Sequence, residues 1–375
     1  MLYSDDYMPL HRRQFLQSAI TAGAAFAFQA SLPSRLLADE KRKFYPVKVS
    51  RERLIRTVVG LRPYRPAGFL VEVERLGDKW LIHHYGHGGA GITLSWGSAQ
   101  QALELAKTSG EKQCAILGCG VIGLSTARLA QRRGYAVTIY TKDLPPETTS
   151  NIAGGFWSPT SVYDGRTVTP KFMEQFTQAC VTANRAFQLL AGPEYAVRWI
   201  DTFELLSGPE RMNNELPGGT QLYPDFQLHQ DRKKYFGTEY VREYKTMLIE
   251  PQTYLNTLLR DFYSAGGKIS VKEFQNREEI AQLKETLIFN CTGLGARKLV
   301  GDQQLSPVRG QLEILVPQPE IDYCYLGGGG YMFPRRDGIV LGGTFDHDVW
   351  STEPDPETTN RILAEHAEVM KNIKR

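Results

Sequence analysis

Cys114-Ala115-Ile116-Leu117-Gly118-Cys119-Gly120-Val121-Ile122-Gly123 decides the fold. Four consecutive apolar residues read as a buried strand. Gly118, Gly120 and Gly123 then fall at the spacing Gly-x-Gly-x-x-Gly. Leu124 to Arg133 follows as a helical run, with Ala127, Leu129 and Ala130 on its apolar side. Gly134 stops it, and Ala136 to Tyr140 reads as a second strand. This strand–helix–strand setting is the one in which such glycines bind a dinucleotide. Gly118 allows the tight turn, Gly120 lets a pyrophosphate approach the backbone, and Gly123 lets helix and strand pack closely. The helix N-terminus, through Val121 and Ile122, offers unpaired N–H groups to the phosphates. The motif leaves FAD and NAD both open. The acidic ribose ligand expected after the second strand is missing, and Tyr140-Thr141-Lys142-Asp143 stands there, so Lys142 or Asp143 is left for that contact.

The chain has 375 residues, 42% hydrophobic, with a formal net charge of +3. That suits a globular protein of about two domains. Lys+Arg 44 against Asp+Glu 41 gives no basic excess to support nucleic-acid binding. Cys114, Cys119, Cys180, Cys291 and Cys324 show no metal-ligand spacing, and they read as reduced, buried thiols. No metal site is expected.

The first forty residues carry a different signal. His11-Arg12-Arg13-Gln14-Phe15-Leu16 precedes a short run of small and apolar residues, Ala19 to Phe28. A basic start and a short apolar run describe an export signal rather than a membrane span. The Arg12-Arg13 pair resembles a bacterial twin-arginine signal. Export through that machinery to the periplasm or cell envelope is the expectation, with cleavage near Ala38. A cytoplasmic location follows if the signal does not function.

Gly60-Leu61-Arg62-Pro63-Tyr64-Arg65-Pro66 reads as a turn-prone linker. Phe69 to Glu74 and Trp80 to Tyr85 form a hairpin around Gly77-Asp78. A glycine-rich loop, Gly86-His87-Gly88-Gly89-Ala90-Gly91-Ile92-Thr93, leads toward a helix from Ser98 to Lys107. Further on, Phe172 to Leu190 reads as a helix, and Pro251 opens another that Gly266-Gly267 ends. Lys268 to Val271 and Leu287 to Asn290 read as strands, the second running into Cys291-Thr292-Gly293.

Gly-Leu-Arg-Pro, followed by His-Tyr-Gly-His-Gly-Gly-x-Gly-x-Thr, resembles the C-terminal part of the D-amino-acid oxidase family of flavoproteins. Here that block precedes the nucleotide-binding strand. The rest, from Cys114 onward, resembles the family's N-terminal and middle portions in their usual order. The chain then stops after Ala364 to Met370, the helix that leads into the Gly-Leu-Arg-Pro strand in the family. The sequence therefore resembles a circular permutation of the family, joined at Lys107 to Lys112. A swapped arm completing a neighbouring subunit is the rival arrangement.

The resemblance implies an α/β fold: a Rossmann-like FAD-binding domain interleaved with an antiparallel-sheet substrate domain. The expected layout is an export signal at 1–40, the displaced block at 41–110, FAD-binding segments at 111–160 and 265–300, substrate-domain segments at 161–264 and 301–355, and a C-terminal helix at 356–375. It places FAD against Gly118, Gly120, Val121, Ile122, Gly123, Lys142 or Asp143. It adds the hydroxyl-rich segment Thr148, Thr149, Ser150 and Gly154, the turn Thr292-Gly293, and the loop Gly88, Gly89, Ala90, Gly91, Ile92 and Thr93. It further implies that Arg62 anchors a substrate carboxylate, Tyr331 bonds the same carboxylate and the Gly89 carbonyl accepts from the amine. Gly91 and Thr93 would stabilise charge on the flavin edge.

The activity implied is oxidative deamination of a D-amino acid with O2 as acceptor. Phe345 stands where D-aspartate oxidases carry a basic residue, which points to neutral or apolar substrates. Gly327 to Gly330 replaces a lid tyrosine and suggests a different or more mobile lid. Alternatives are a glycine or secondary-amine oxidase, a quinone-linked D-amino acid dehydrogenase, an NAD-dependent dehydrogenase, or a flavin-binding protein without turnover. A homodimer is left open. His83, His84 and His87 read as core or hairpin residues rather than bases.

Overall fold

The computed structural model describes residues 43–211, 214–230 and 236–373, so the export-signal reading of 1–40 lies outside the described residues. The block before the glycine turn supplies β1 (Leu54–Tyr64), β2 (Leu70–Leu76), β3 (Lys79–Tyr85) and α1 (Gly91–Ala106). The turn is framed by β4 (Gln113–Leu117), α2 (Val121–Arg132) and β5 (Ala136–Thr141). Then come α3 (Thr149–Ile152), α4 (Pro170–Leu189), β6 (Val197–Leu206), β7 (Gln227–Gln230), β8 (Tyr240–Ile249) and α5 (Pro251–Ser264). The remainder is β9 (Lys268–Val271), α6 (Arg277–Ala281), β10 (Leu287–Asn290), α7 (Ala296–Leu299), β11 (Ser306–Leu315), β12 (Tyr323–Gly327), β13 (Gly330–Arg335), β14 (Gly338–Gly342), β15 (Asp346–His347) and α8 (Pro356–Lys371).

These elements make two sheets. The six-stranded sheet runs β2-β3-β10-β4-β5-β9. All its pairings are parallel except β2 with β3. Its central strand is buried on both faces, as a parallel strand between covering layers must be. Cys114 and Ile116 pack with Leu103 of α1 and Leu124 of α2, whereas Ala115 and Leu117 pack with Ile280 and Leu283. The second sheet runs β1-β11-β14-β13-β12-β6-β8-β7, with β15 added on β11.

The early block enters both sheets. β1 lies antiparallel on β11, with Gly60 opposite Gly310 and Arg62 opposite Val308. β3 lies parallel to β10, with Trp80 opposite Leu287. Phe44 and Val47 share an apolar cluster with Met370 and Ile373, and the Val47 N–H donates to Met370 Sδ at 3.1 Å. Thus the start of the block adjoins the end of α8. At its other end α1 passes through a single 3₁₀ turn, Lys107–Ser109, and Gly110 at φ 71° into β4.

Several expectations need correction. Gly60 to Tyr64 is not linker but the end of β1, because β11 supplies a ladder that local sequence does not reveal. The helix expected from Ser98 already begins at Gly91, and Gly88–Ala90 forms a 3₁₀ turn before it. Residues 161–264 do not all join the substrate sheet. Only β6, β7 and β8 do, while Phe172 and Phe176 of α4 and Tyr254 and Leu258 of α5 pack in the cluster over the six-stranded sheet. The Gly327 to Gly330 segment forms a hairpin with a two-residue turn. Gly327 pairs Gly330, and the tip is seated against Glu365 and Val369 of α8.

Gly97 lets α1 cross α4 closely, since a Cβ there would lie 2.0 Å from the Ala179 carbonyl oxygen. Alanine is the better helix former by about 1 kcal/mol. Overpacking should nevertheless win, and Gly97→Ala is expected to lower stability by about 1–3 kcal/mol in a denaturant titration. An unchanged or raised midpoint would contradict this packing.

Candidate active site

Four parallel strands end together at one edge of the six-stranded sheet. Leu117 of β4 lies opposite Tyr140 of β5 and Asn290 of β10, and Asn290 lies opposite His83 of β3. The loops leaving these ends therefore share one crevice, the place where open α/β sheets bind ligands. They are Gly88–Ala90, Gly118–Gly120, Lys142-Asp143 and Thr292-Gly293.

Gly118 and Gly123 of the central turn have the structural reasons expected of them. Gly118 has φ 102°, and a Cβ there would meet the Cys291 carbonyl oxygen at 2.7 Å. A Cβ at Gly123 would meet the Gly118 carbonyl oxygen at 2.0 Å. Gly120 is more open, with only Ser150 Oγ at 3.2 Å from the same virtual atom. Neither α1 nor α2 carries a side-chain N-cap, whereas Thr169 caps α4 and Asp355 caps α8. The two N-termini adjoin: a Cβ at Gly91 would lie 3.9 Å from Val121 Cγ1. Two helix ends without side-chain N-caps at one crevice are suited to an anion. Ser150 Oγ accepts from the Val121 N–H at 3.0 Å, so the α3 segment reaches the same place.

The other expected cofactor residues divide by exposure. Thr148 is buried and donates to Asn151 Oδ1 at 2.7 Å, while Thr149 is exposed. Thr292 donates to Asn290 Oδ1 through Oγ1 at 2.7 Å, and the Asn290 side chain also meets His83 at 3.3 Å. Lys142 and Asp143 are exposed and paired at 3.5 Å beyond β5. Thr93 Oγ1 turns to the Ser158 backbone, at 3.2 Å from its carbonyl oxygen. Ile92 is buried in the first turn of α1. Cys119 in the glycine turn stays a thiol, because burial pushes it up to about 12.

The nine-stranded sheet delivers a cation to this crevice. Arg62 lies across Gly310, where a Cβ would stand 2.5 Å from both terminal guanidinium nitrogens. Its guanidinium is within 3.4 Å of the Arg309 carbonyl, the Thr344 carbonyl and the Tyr331 hydroxyl. Among the described residues it has no carboxylate partner. Arg309 beside it is matched by Asp346 at 3.2 Å. Tyr331 lies over Gly342 in the same way, with a virtual Cβ 2.2 Å from its ring. A stack of Phe156, Phe333 and Tyr331, with centroids 4.8 Å apart at each step, holds that ring flat. Gly154 fits beneath Phe333, its virtual Cβ 2.9 Å from that ring. His366 supports the strand behind, accepting from Tyr325 and donating to the Gly342 carbonyl at 3.1 Å.

Gly89 completes the group. Its N–H donates to the Ser161 carbonyl at 3.0 Å, and its virtual Cβ is 3.7 Å from Arg62 Cδ. Arg62, Tyr331 and Gly89 therefore meet beside the N-terminus of α1. Gly310, Gly342, Ser161 and Phe333 also shape the site and were not singled out from the sequence. Of these, only Phe333 had a local signal, standing two residues from Tyr331 on the same strand face. His83, His84 and His87 are buried, and no metal-holding group occurs among the described residues. No described helix is long and apolar enough to cross a membrane.

Comparison with known proteins agrees with this architecture. The model of the FAD dependent oxidoreductase family matches residues 113–375. A D-amino acid oxidase of Dugesia ryukyuensis is 31% identical over 66% of this chain and 75% of its own. A human D-aspartate oxidase is 30% identical over 67% of this chain and 73% of its own. Among solved structures, glycine oxidase from Bacillus cereus is similar with a TM-score of 0.51 at 16% identity, covering 68% of this chain and 77% of its own. The residues fit the cofactor this implies. Bare backbone at Gly118 and Gly120 and two helix ends without side-chain N-caps suit a pyrophosphate and a ring that gains negative charge on reduction. The chain belongs to the FAD-dependent oxidoreductase family that includes the D-amino-acid oxidases, and it is an FAD enzyme.

Proposed function

We propose that the protein oxidises neutral or apolar D-amino acids. The observation that carries this is Arg62, a cation without a carboxylate partner among the described residues, meeting Tyr331 and Gly89 beside the α1 N-terminus. A planar guanidinium pairs with a carboxylate through two parallel bonds. The Tyr331 hydroxyl would donate a third bond to that carboxylate. The Gly89 carbonyl would accept from the amine. Three such contacts fix which face of Cα is presented, and so select one enantiomer. The N–H groups of Gly91, Ile92 and Thr93, backed by the α1 dipole, would stabilise negative charge developing nearby. FAD, held by the Gly118–Gly123 turn and the two helix ends, would supply a hydride acceptor for Cα; the resulting imino acid would hydrolyse to keto acid and ammonia, and O2 would take the electrons as hydrogen peroxide.

The side-chain preference is read from the rim. The Phe345 ring stands 5.4 Å from the Arg62 guanidinium carbon, with the His347 ring edge-on at 5.1 Å. Tyr64 also meets His347 edge-on at 5.6 Å. An apolar side chain lies more favourably on this aromatic rim than a second carboxylate does. Anaerobic mixing with D-alanine should bleach the yellow protein, and readmitted air should yield peroxide. Bleaching by glycine or sarcosine but not by D-alanine would support the secondary-amine reading instead. Bleaching without peroxide in air would mark a dehydrogenase.

Arg62→Ala should weaken substrate binding by about 2–5 kcal/mol, read as a raised KM. Gly310→Ala, which must push the same guanidinium aside, should lower kcat/KM on the order of a hundredfold. Both variants should retain FAD. Normal kinetics in either would remove Arg62 from the anchor role.

We also infer that the chain order is a circular permutation of the family order. The family match begins at residue 113, while the block before it supplies β1 and β3 within both sheets. Its start adjoins the end of α8, as a formerly continuous chain requires. A protein rebuilt to begin at Lys112, run through Ile373 and continue by a short linker into Phe44 to Thr108 should fold, bind FAD and turn over. Failure to bind FAD would count against this order.

A further inference from the structure

A polar cluster behind the two uncapped helix ends has no role in the chemistry above. His84 on β3 is fully buried. Its Nε2 is 2.8 Å from Ser98 Oγ on α1, and its Nδ1 is 3.0 Å from Thr126 Oγ1 on α2. Each hydroxyl also lies on the carbonyl one turn earlier, Ser98 on Leu94 at 3.0 Å and Thr126 on Ile122 at 2.7 Å. His87 Nε2 reaches the same Ser98 oxygen at 2.9 Å, and Cys291 Sγ stands 3.9 Å from His84 Nδ1. Burial depresses the basicity of both histidines and holds them neutral.

The position of this bridge is informative. Ser98 lies seven residues into α1 from Gly91, and Thr126 five residues into α2 from Val121, or about 10 Å and 8 Å behind the two ends at 1.5 Å per residue. Apolar contacts between helices tolerate small slides, whereas two directional bonds on one rigid ring do not. The ring is anchored in β3, so three elements are tied at one point. Neutral imidazole donates at one nitrogen and accepts at the other: Ser98, whose proton goes to the Leu94 carbonyl, accepts from Nε2–H, and Thr126 shares its single proton between Nδ1 and the Ile122 carbonyl.

We propose that His84 is a positioning residue for FAD: by bridging Ser98 and Thr126 it sets the spacing between the α1 N-terminus, which would face the flavin ring, and the α2 N-terminus, which would face the pyrophosphate. The role rests on the reading that FAD spans these two ends. On that reading ADP would engage only the α2 end, so it separates spacing from local folding.

The test titrates flavin-free full-length protein with FAD and, separately, with ADP. His84→Leu should weaken FAD about tenfold, the equivalent of one net hydrogen bond, and leave ADP within about twofold. His84→Gln, which keeps a donor and an acceptor, should recover most of the FAD affinity. Ser98→Ala, which cuts one end of the bridge, should repeat the selective loss. Equal weakening of FAD and ADP, or no weakening of either, would overturn the role. Gly120→Val is the control for placement and should abolish binding of both ligands. Retained binding in that variant would show that FAD lies elsewhere, and both readings would then fall; loss in Gly120→Val with unaltered FAD affinity in His84→Leu sinks the positioning role alone.

Discussion

The pairing of β1 with β11 is the constraint on which the site depends. It joins strands far apart in the described chain, and its register sets Gly60 against Gly310. That register places Arg62 on the same face as Gly310, where no side chain blocks it. A slip of one residue would turn the guanidinium to the other face of the sheet. Shifting the register would also remove the Tyr331 contact, because Tyr331 reaches Arg62 only through the order β11-β14-β13.

Glycines do in the second sheet what they do in the first, for a different reason. At Gly118 the chain needs a tight turn, and at Gly120 it leaves the backbone bare toward the crevice. At Gly310 and Gly342 the backbone is ordinary strand, and the missing Cβ makes room for a working side chain from the neighbouring strand. The aromatic stack of Phe156, Phe333 and Tyr331 then supplies the rigidity that a side chain lying over glycine lacks. Polar burial is concentrated where geometry matters. Asn290 fixes the Thr292 turn, and Gln311 links Glu313 to the start of α8 through the Asp355 carbonyl. Such groups hold one arrangement because every alternative strands a buried donor or acceptor.

The dinucleotide half of the molecule was legible because its signals are local. Strand, glycines, helix and second strand occupy a single run, and each glycine answers to a neighbour within that run or one strand away. The hairpin around Gly77 and the α5 start at Pro251 follow the same logic. Errors arose where a partner lies far along the chain. Gly60 to Tyr64 reads as linker from Gly, Pro and Arg, yet β11 makes it a strand. Helices α4 and α5 show apolar faces, but nothing in them says which sheet they cover.

By itself, therefore, the sequence determined the nucleotide-binding unit and, through its resemblance, FAD as the cofactor and the identity of Arg62, Tyr331 and Gly89 as a candidate set. Only the tertiary structure decided that these three meet, that Gly310 and Gly342 make space for two of them, and that His84 ties α1 to α2. The physical reason is range. Turns, caps and amphipathic faces are set by residues a few positions apart, whereas strand register and buried hydrogen-bond bridges are chosen by partners that only chain folding brings together.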